Sequence, residues 1–397
     1  MDHLQDKWLH WICLEAAPLW ASAGFNSSLG LFHERLTFSG EACDPPALRL
    51  MSQARQVASF ATLARFKEGQ KAWGNLALSV MARLEKLYHQ RDGGKGWIFS
   101  LDQKAEISDR KRDLYGHAFV LFAYASLGKL LEQQDKAEFS ALKQKSLVMG
   151  QEIFTLFGVE DEKGHFQEFQ AWREVLPFRG EHAQNPWMHL LESCLSLFEV
   201  FGDKIWKERA KVILKLLRVH LLTPEGILPE KFNETWRSWK KIGKNPIEPG
   251  HLIEWRWLLG EARRLLDLEH SEEIHLIEIA EGFSAFAEKY GRSSQKESFL
   301  VNAVLENGRV ADPAMRLWPQ TEYLRLLASP HVHLAPEKVQ QELIAQSEMF
   351  FTHFIPSSLK GGWIDRLTKE GRQASSEMPA TSFYHILSAV LAISARK

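Results

Sequence analysis

Histidine twice stands three residues before a carboxylate: His189 before Glu192, and His251 before Glu254. On a helix that separation puts both side chains on one face. A third histidine, His385, follows Ser382-Phe383-Tyr384, and Arg55 lies in Gln53-Ala54-Arg55-Gln56. The ordinary pKa of histidine is nearest neutrality, so a pair of them suits taking a proton away and returning it. A neighbouring Glu fixes an imidazole's tautomer or holds a sugar hydroxyl, while Arg offers a fixed charge to a developing enolate oxygen. Trp318, in Arg316-Leu317-Trp318-Pro319-Gln320-Thr321-Glu322, supplies a flat face suited to the apolar side of a sugar. Together these types read as proton transfer next to a carbonyl. The sequence has no phosphate-cradling glycine loop, nucleotide fingerprint or nucleophile elbow.

These residues must be brought to one place, and the hydrophobic pattern says how. Apolar residues recur every three or four positions in segment after segment. The spacing predicts helices over Leu4–Trp20, Ala47–Lys67, Lys71–His89, Asp113–Leu131, Asp135–Phe157 and Asn185–Phe201. Six more are predicted over Lys204–His220, Pro249–Asp267, Glu272–Tyr290, Arg316–Ala328, Pro336–Phe354 and Ala380–Ala395. Asp44-Pro45-Pro46, Asn185-Pro186 and Pro249-Gly250 mark helix starts. Strand signals are confined to short loop pieces such as Gly96–Ser100, so the fold class is all-α.

The even-numbered helices repeat about every 65 to 70 residues, the mark of stacked helical hairpins. Six hairpins close an α/α toroid, although the period alone also fits an open solenoid. Connections out of the even helices are short, and those leading into them run to roughly twenty residues or more, a length usually tied to function. In alternating antiparallel helices all the long loops then emerge at one end, with the first turns of the even helices. Those turns hold Tyr115 and His117, Asn185 and His189, His251, Trp318, and His385. Each residue taken singly has a structural explanation as cap, clamp or core group. Their coincidence at one end of one ring favours a site.

Composition narrows the classes. The chain has 397 residues, with 49 Lys+Arg against 50 Asp+Glu and a formal net charge of -1. A neutral chain has no general pull on a phosphate backbone, which argues against nucleic acid as partner. Cys13, Cys43 and Cys194 match neither a disulfide framework nor a zinc spacing, which favours a reducing cytoplasm. The N-terminal residues lack a signal peptide's apolar core, and the longest apolar run, Ala118–Leu127, is too short to span a bilayer. The expectation is a soluble cytoplasmic protein, not bound to membrane, forming one domain over residues 1–397.

At its motifs the chain resembles the N-acylglucosamine 2-epimerase superfamily, and within it the D-mannose isomerase branch. The resemblance runs from Phe32-His33-Glu34-Arg35-Leu36 and Gln53-Ala54-Arg55-Gln56 through Asp113-Leu114-Tyr115-Gly116-His117. It continues in Asn185-Pro186-Trp187-Met188-His189, Glu248-Pro249-Gly250-His251, Arg316–Glu322 and Ser382-Phe383-Tyr384-His385. It implies an (α/α)6 barrel with a sugar site that uses neither metal nor other cofactor. His251 and His385 would exchange protons and Arg55 would hold the reacting oxygens. Tyr115, Asn185, His189, Glu254, Trp318 and Glu322 would bind and position the sugar. The implied reaction is D-mannose to D-fructose isomerisation through a cis-enediol, with 2-epimerisation as the alternative, by a monomer or homodimer acting on a monosaccharide.

Arg237, Lys240, Lys241 and Lys244 crowd the loop before helix eight, beside Trp236 and Trp239. Folded over a pocket, that loop would recognise a phosphate or sulfonate; the preferred expectation is a solvated basic loop. His331-Val332-His333 resembles a metal pair only superficially and reads as surface. Three rival readings follow from residue types. One is a metal enzyme using His189, His251, Glu254 and His385. The others are a non-catalytic repeat protein and a glycoside hydrolase, which would leave the histidines idle.

Overall fold

The computed structural model describes residues 2–294, 298–332 and 334–396. Helix α1 (Asp2–His10) runs through a π-helical stretch, Trp11–Ala16, into α2 (Ala17–Ser22). There follow α3 (Leu50–Leu63), α4 (Lys71–Tyr88), α5 (Leu114–Leu131), α6 (Lys136–Leu156), α7 (Gln184–Phe201) and α8 (Lys204–Leu216). The last five are α9 (Pro249–Leu265), α10 (His270–Tyr290), α11 (Leu317–Ala328), α12 (Pro336–His353) and α13 (Thr381–Ala395). Helices α3, α5, α7, α9, α11 and α13 each pack on the next, and α13 returns to α3, so the ring is closed. It is the expected (α/α)6 barrel, not an open solenoid.

Burial separates the two helix layers. Along inner α3 almost every side chain is buried, polar Ser52, Gln53, Arg55 and Gln56 included. Outer α10 buries only a stripe, Leu276, Ile279, Phe283 and Ala287, as an amphipathic helix against a core must. Inner α5 is long and apolar enough to cross a membrane, but it lies mostly buried among its neighbours. Eight of the 14 tryptophans are fully buried packing residues, among them Trp8, Trp97 and Trp206. Trp20 stacks on Trp363 at 5.2 Å and Trp363 on Phe383 at 5.7 Å, which ties α2 to α13. The tryptophans therefore mostly serve the core.

The long loops carry a regular device. Each inner helix is entered from a strand of two or three residues, and that strand pairs antiparallel with one from the neighbouring long loop. The pairs are 48–49 with 100–101, 112–113 with 175–176, 181–183 with 231–233, and 246–247 with 303–305. The series continues with 315–316 against 366–367 and closes with 377–379 against 35–37. A ring of small sheets thus fixes where every inner helix begins. It also explains why α3 starts at Leu50 and not Ala47: Leu48 and Arg49 are extended and paired. Helix α10 starts earlier than the apolar pattern predicts because Glu269 and Glu272 form a capping box.

Candidate active site

Inner-helix side chains also fasten these loops. Gln53 accepts from the Phe32 amide and donates to the Phe32 carbonyl, both at 2.8 Å. Gln320 does the same for Leu300 at 2.9 Å. His117 accepts from the Trp97 amide at 2.9 Å, and burial pushes its pKa down to about 4. His182 is buried between Glu174 and the stacked ring of Trp236. Gln53, Gln320, His117 and His182 are structural.

The other polar residues of the inner first turns converge. Arg55, Tyr115, Asn185, His189, His251, Glu254, Trp318 and His385 line one cavity of about 170 Å³ at the long-loop end. That is below the roughly 300–1,000 Å³ of a drug-sized pocket and suits one small polar molecule. Glu322 is the one predicted site residue not on its wall. It lies beneath, fully buried, with Oε1 2.7 Å from His385 Nδ1.

Trp318 forms the plate between the two catalytic candidates, its ring 4.8 Å from that of His251 and 5.6 Å from that of His385. Gly250 makes this contact possible, because a Cβ there would sit 2.6 Å from the Trp318 ring. Arg55 donates to the Tyr115 hydroxyl at 2.7 Å, and its guanidinium lies 4.2 Å over the Phe119 ring. Its buried Nε makes no hydrogen bond.

The two histidines hold opposite charge states. Burial alone would lower the pKa of His251, but the carboxylates of Glu230 and Glu248 outweigh it and hold the imidazole at about 9. Glu230 Oε2 is 2.9 Å from His251 Nδ1. The ring is therefore an imidazolium at neutral pH, with its other N–H left for the cavity. For His385, burial and then the charge of Arg55 push the pKa well below the usual histidine value. The neutral ring donates Nδ1–H to Glu322 and turns a bare Nε2 to the cavity, the tautomer following from that hydrogen bond.

The floor is a charged network. Arg325 donates to Glu192 at 2.9 Å and to Glu322 at 3.3 Å. Tyr384 donates to Glu192 at 2.6 Å, and His189 Nδ1 lies 3.1 Å from the same carboxylate. Burial brings His189 down to about 4, so it too is a neutral imidazole. Both oxygens of Glu254 are buried without a hydrogen-bond partner. Burial and the nearby charges of Glu322 and Glu192 push this carboxyl well above the ordinary carboxylate value, and its oxygens are left for whatever fills the cavity.

Among the described residues three sets of His and carboxylate atoms come within 4.8 Å: His189/Glu192/Glu254, Glu230/Glu248/His251 and Glu254/Glu322/His385. His251 falls in a different set from His189 and His385, so the four metal ligands of the rival reading do not converge. Each set also contains a carboxylate already committed: Glu192 and Glu322 to Arg325, Glu230 to Gln184 and the Glu248 amide.

The sequence pattern misses Glu230, Arg325 and Tyr384. Glu230 sits on the long loop and reaches His251 only because Lys231–Asn233 pairs with Glu181–Ala183. The basic loop is solvated as expected, with Arg237, Lys240, Lys241 and Lys244 exposed and none on the cavity wall. His331 is half-buried against Glu261 at 2.6 Å, and so is not open surface; His333 lies outside the described residues.

Residues 30–389 match the family model described as N-acylglucosamine 2-epimerase (GlcNAc 2-epimerase). The chain belongs to this family. Within it, the chain is 30% identical over 387 residues to a mannose-6-phosphate isomerase of Rhizobium meliloti (strain 1021), covering 96% of this chain and 94% of that one. It is 24% identical over 291 residues to a cellobiose 2-epimerase of Dictyoglomus turgidum, covering 69% and 68%. Its fold superposes on a crystal structure of D-mannose isomerase with TM-score 0.80 at 20% identity, covering 98% and 97%. The chain is thus a sugar isomerase or epimerase of this family, with a small sugar as substrate.

Proposed function

We propose that the protein interconverts D-mannose and D-fructose through a cis-enediol, without metal or other cofactor. One catalytic domain over residues 1–397 does this in the cytoplasm, as a monomer or homodimer; the three unpaired cysteines accord with that compartment. The observation that carries the reading is a neutral His385 and a cationic His251 flanking Trp318 over one cavity.

In the forward direction His385 Nε2 takes the proton from C2 of the open-chain aldose. The electron pair moves into the C1–C2 bond, and the carbonyl oxygen at C1 takes the negative charge. His251 donates a proton to that oxygen, giving the enediol, and Arg55 holds the reacting oxygens as charge builds. His385 then returns its proton to C1 on the same face, while His251 recovers a proton from the C2 hydroxyl as it becomes the ketone. Trp318 bears the sugar's apolar face, and Tyr115, Asn185, His189 and Glu254 receive its hydroxyls. Glu322 holds the tautomer of His385 from below.

The assay is D-mannose in D₂O with protein freed of metal by chelation, followed by NMR. Fructose with deuterium at C1 supports the reading, and loss of activity on chelation refutes the cofactor-free part. D-mannose 6-phosphate is run beside it, since one relative bears that name; the solvated basic loop favours the unmodified sugar. A second reading, 2-epimerisation, is favoured by neutral His189 on the same wall, which offers another base. Glucose appearing without fructose would establish it instead.

A further inference from the structure

The sugar cavity is not the largest in the molecule. At the opposite end of the barrel the C-terminal halves of the inner helices enclose about 840 Å³. Ala58, Phe122, Ala125, Leu195, Leu258 and Leu387 supply an apolar wall. Serines on that wall ask for nothing: Ser59, Ser126 and Ser388 donate to the carbonyls of Arg55, Phe122 and Tyr384, four residues back. Deep inside, Trp257 lies with the Arg325 guanidinium 3.3 Å from its ring centre, so an aromatic plate backed by a buried cation faces the space. Glu192 and Tyr384, from the floor of the sugar site, also border it.

The lining charges are unbalanced. Arg65, Lys129, Arg264, Arg325 and Arg396 oppose Glu192, Glu199 and Glu261, and Glu192 takes Arg325. Glu199 takes Lys129 and Arg264, and Glu261 takes Arg264 and His331. Among the described residues neither Arg65, which is exposed, nor Arg396, which is half-buried and donates to the Leu327 carbonyl at 2.7 Å, has a carboxylate partner. An apolar hollow with unneutralised guanidiniums complements one kind of small molecule.

We propose that this distal cavity is a second ligand site, taking an amphipathic anion whose apolar body lies against Trp257 and the alanine–leucine wall and whose acid group meets Arg65 and Arg396. Its charge logic is independent of the reaction assigned to the sugar site, so either reading can fail alone. The probe is 8-anilino-1-naphthalenesulfonate, titrated by fluorescence into the intact protein, with decanoate as competitor. Saturable binding at one site, displaced by decanoate and not by D-mannose or D-fructose, is the expected result. Arg65→Glu weakens binding about tenfold, near 1.4 kcal/mol, while Lys240→Glu in the basic loop leaves it unchanged. Ala125→Trp fills the hollow and abolishes binding; should that variant not fold, Arg65→Glu at its exposed position decides. Non-saturable fluorescence, displacement by sugar, or wild-type affinity in Arg65→Glu would overturn the proposal.

Discussion

Replacing Glu230 by Gln removes one charge from beside His251 and keeps the shape. The carboxylate is 2.9 Å from Nδ1 and is the foremost influence opposing burial, which together with Glu248 holds the imidazole at about 9. One neighbouring carboxylate in a buried site moves a pKa by roughly 1 to 3 units, and each unit corresponds to about 1.4 kcal/mol. The raised pKa of His251 means that its acid form is present below about 9 and is lost above it. As general acid it therefore sets the alkaline limb of kcat/KM, whereas neutral His385 sets the acid limb. Glu230→Gln should draw the alkaline limb down by about 1 to 2 units. At pH 8.5 kcat/KM then falls roughly tenfold, while near pH 6.5 it changes little. Gln keeps one acceptor oxygen, enough for the Glu248 amide or for Gln184 but not both, so a thermal melt of the variant run beside the profile separates the charge effect from loop packing. The assay is a full pH profile of initial rates for both proteins. An alkaline limb that does not move would refute the assignment of His251 as the acid, and a uniform loss at every pH would assign Glu230 to loop packing only.

Three further outcomes are expected. His385→Ala should lower kcat by about 10² to 10⁴ with the fold unchanged by circular dichroism, and a variant retaining near-full turnover would remove His385 from the chemistry. Gly250→Ala forces a methyl to within 2.6 Å of the Trp318 ring; displacing that plate should raise KM on the order of tenfold, and unaltered kinetics would show that Trp318 does not carry the sugar. Arg209 and Glu160 form a buried two-pronged pair at 2.8 and 2.9 Å, so Arg209→Ala strands a carboxylate and should cost about 3–5 kcal/mol. A urea midpoint within error of the parent would contradict that estimate.

Much of the architecture was legible because a helix writes itself locally. Three- and four-residue periodicity located the helices, and the long repeat with alternating short and long connections put Arg55, His189, His251, Trp318 and His385 at one end. A helix's first turn is a fixed place, so residues there on successive inner helices share a mouth. The same logic overreached at His117, which has the right position but spends its ring on the Trp97 amide.

What only the tertiary structure decided is which histidine carries charge. Both are buried near the start of an inner helix, but local sequence offers a carboxylate only to His251. His251 is held foremost not by its sequence neighbours Glu248 and Glu254 but by Glu230 on a preceding loop that strand pairing brings across. His385 rests on Glu322 from another helix and faces the guanidinium of Arg55. Helices, their order and their polar ends are short-range properties, fixed by neighbours along the chain. Proton affinity in a dry pocket is set by every charge within several ångströms, and those charges come from segments up to 330 residues apart, as Arg55 and His385 do.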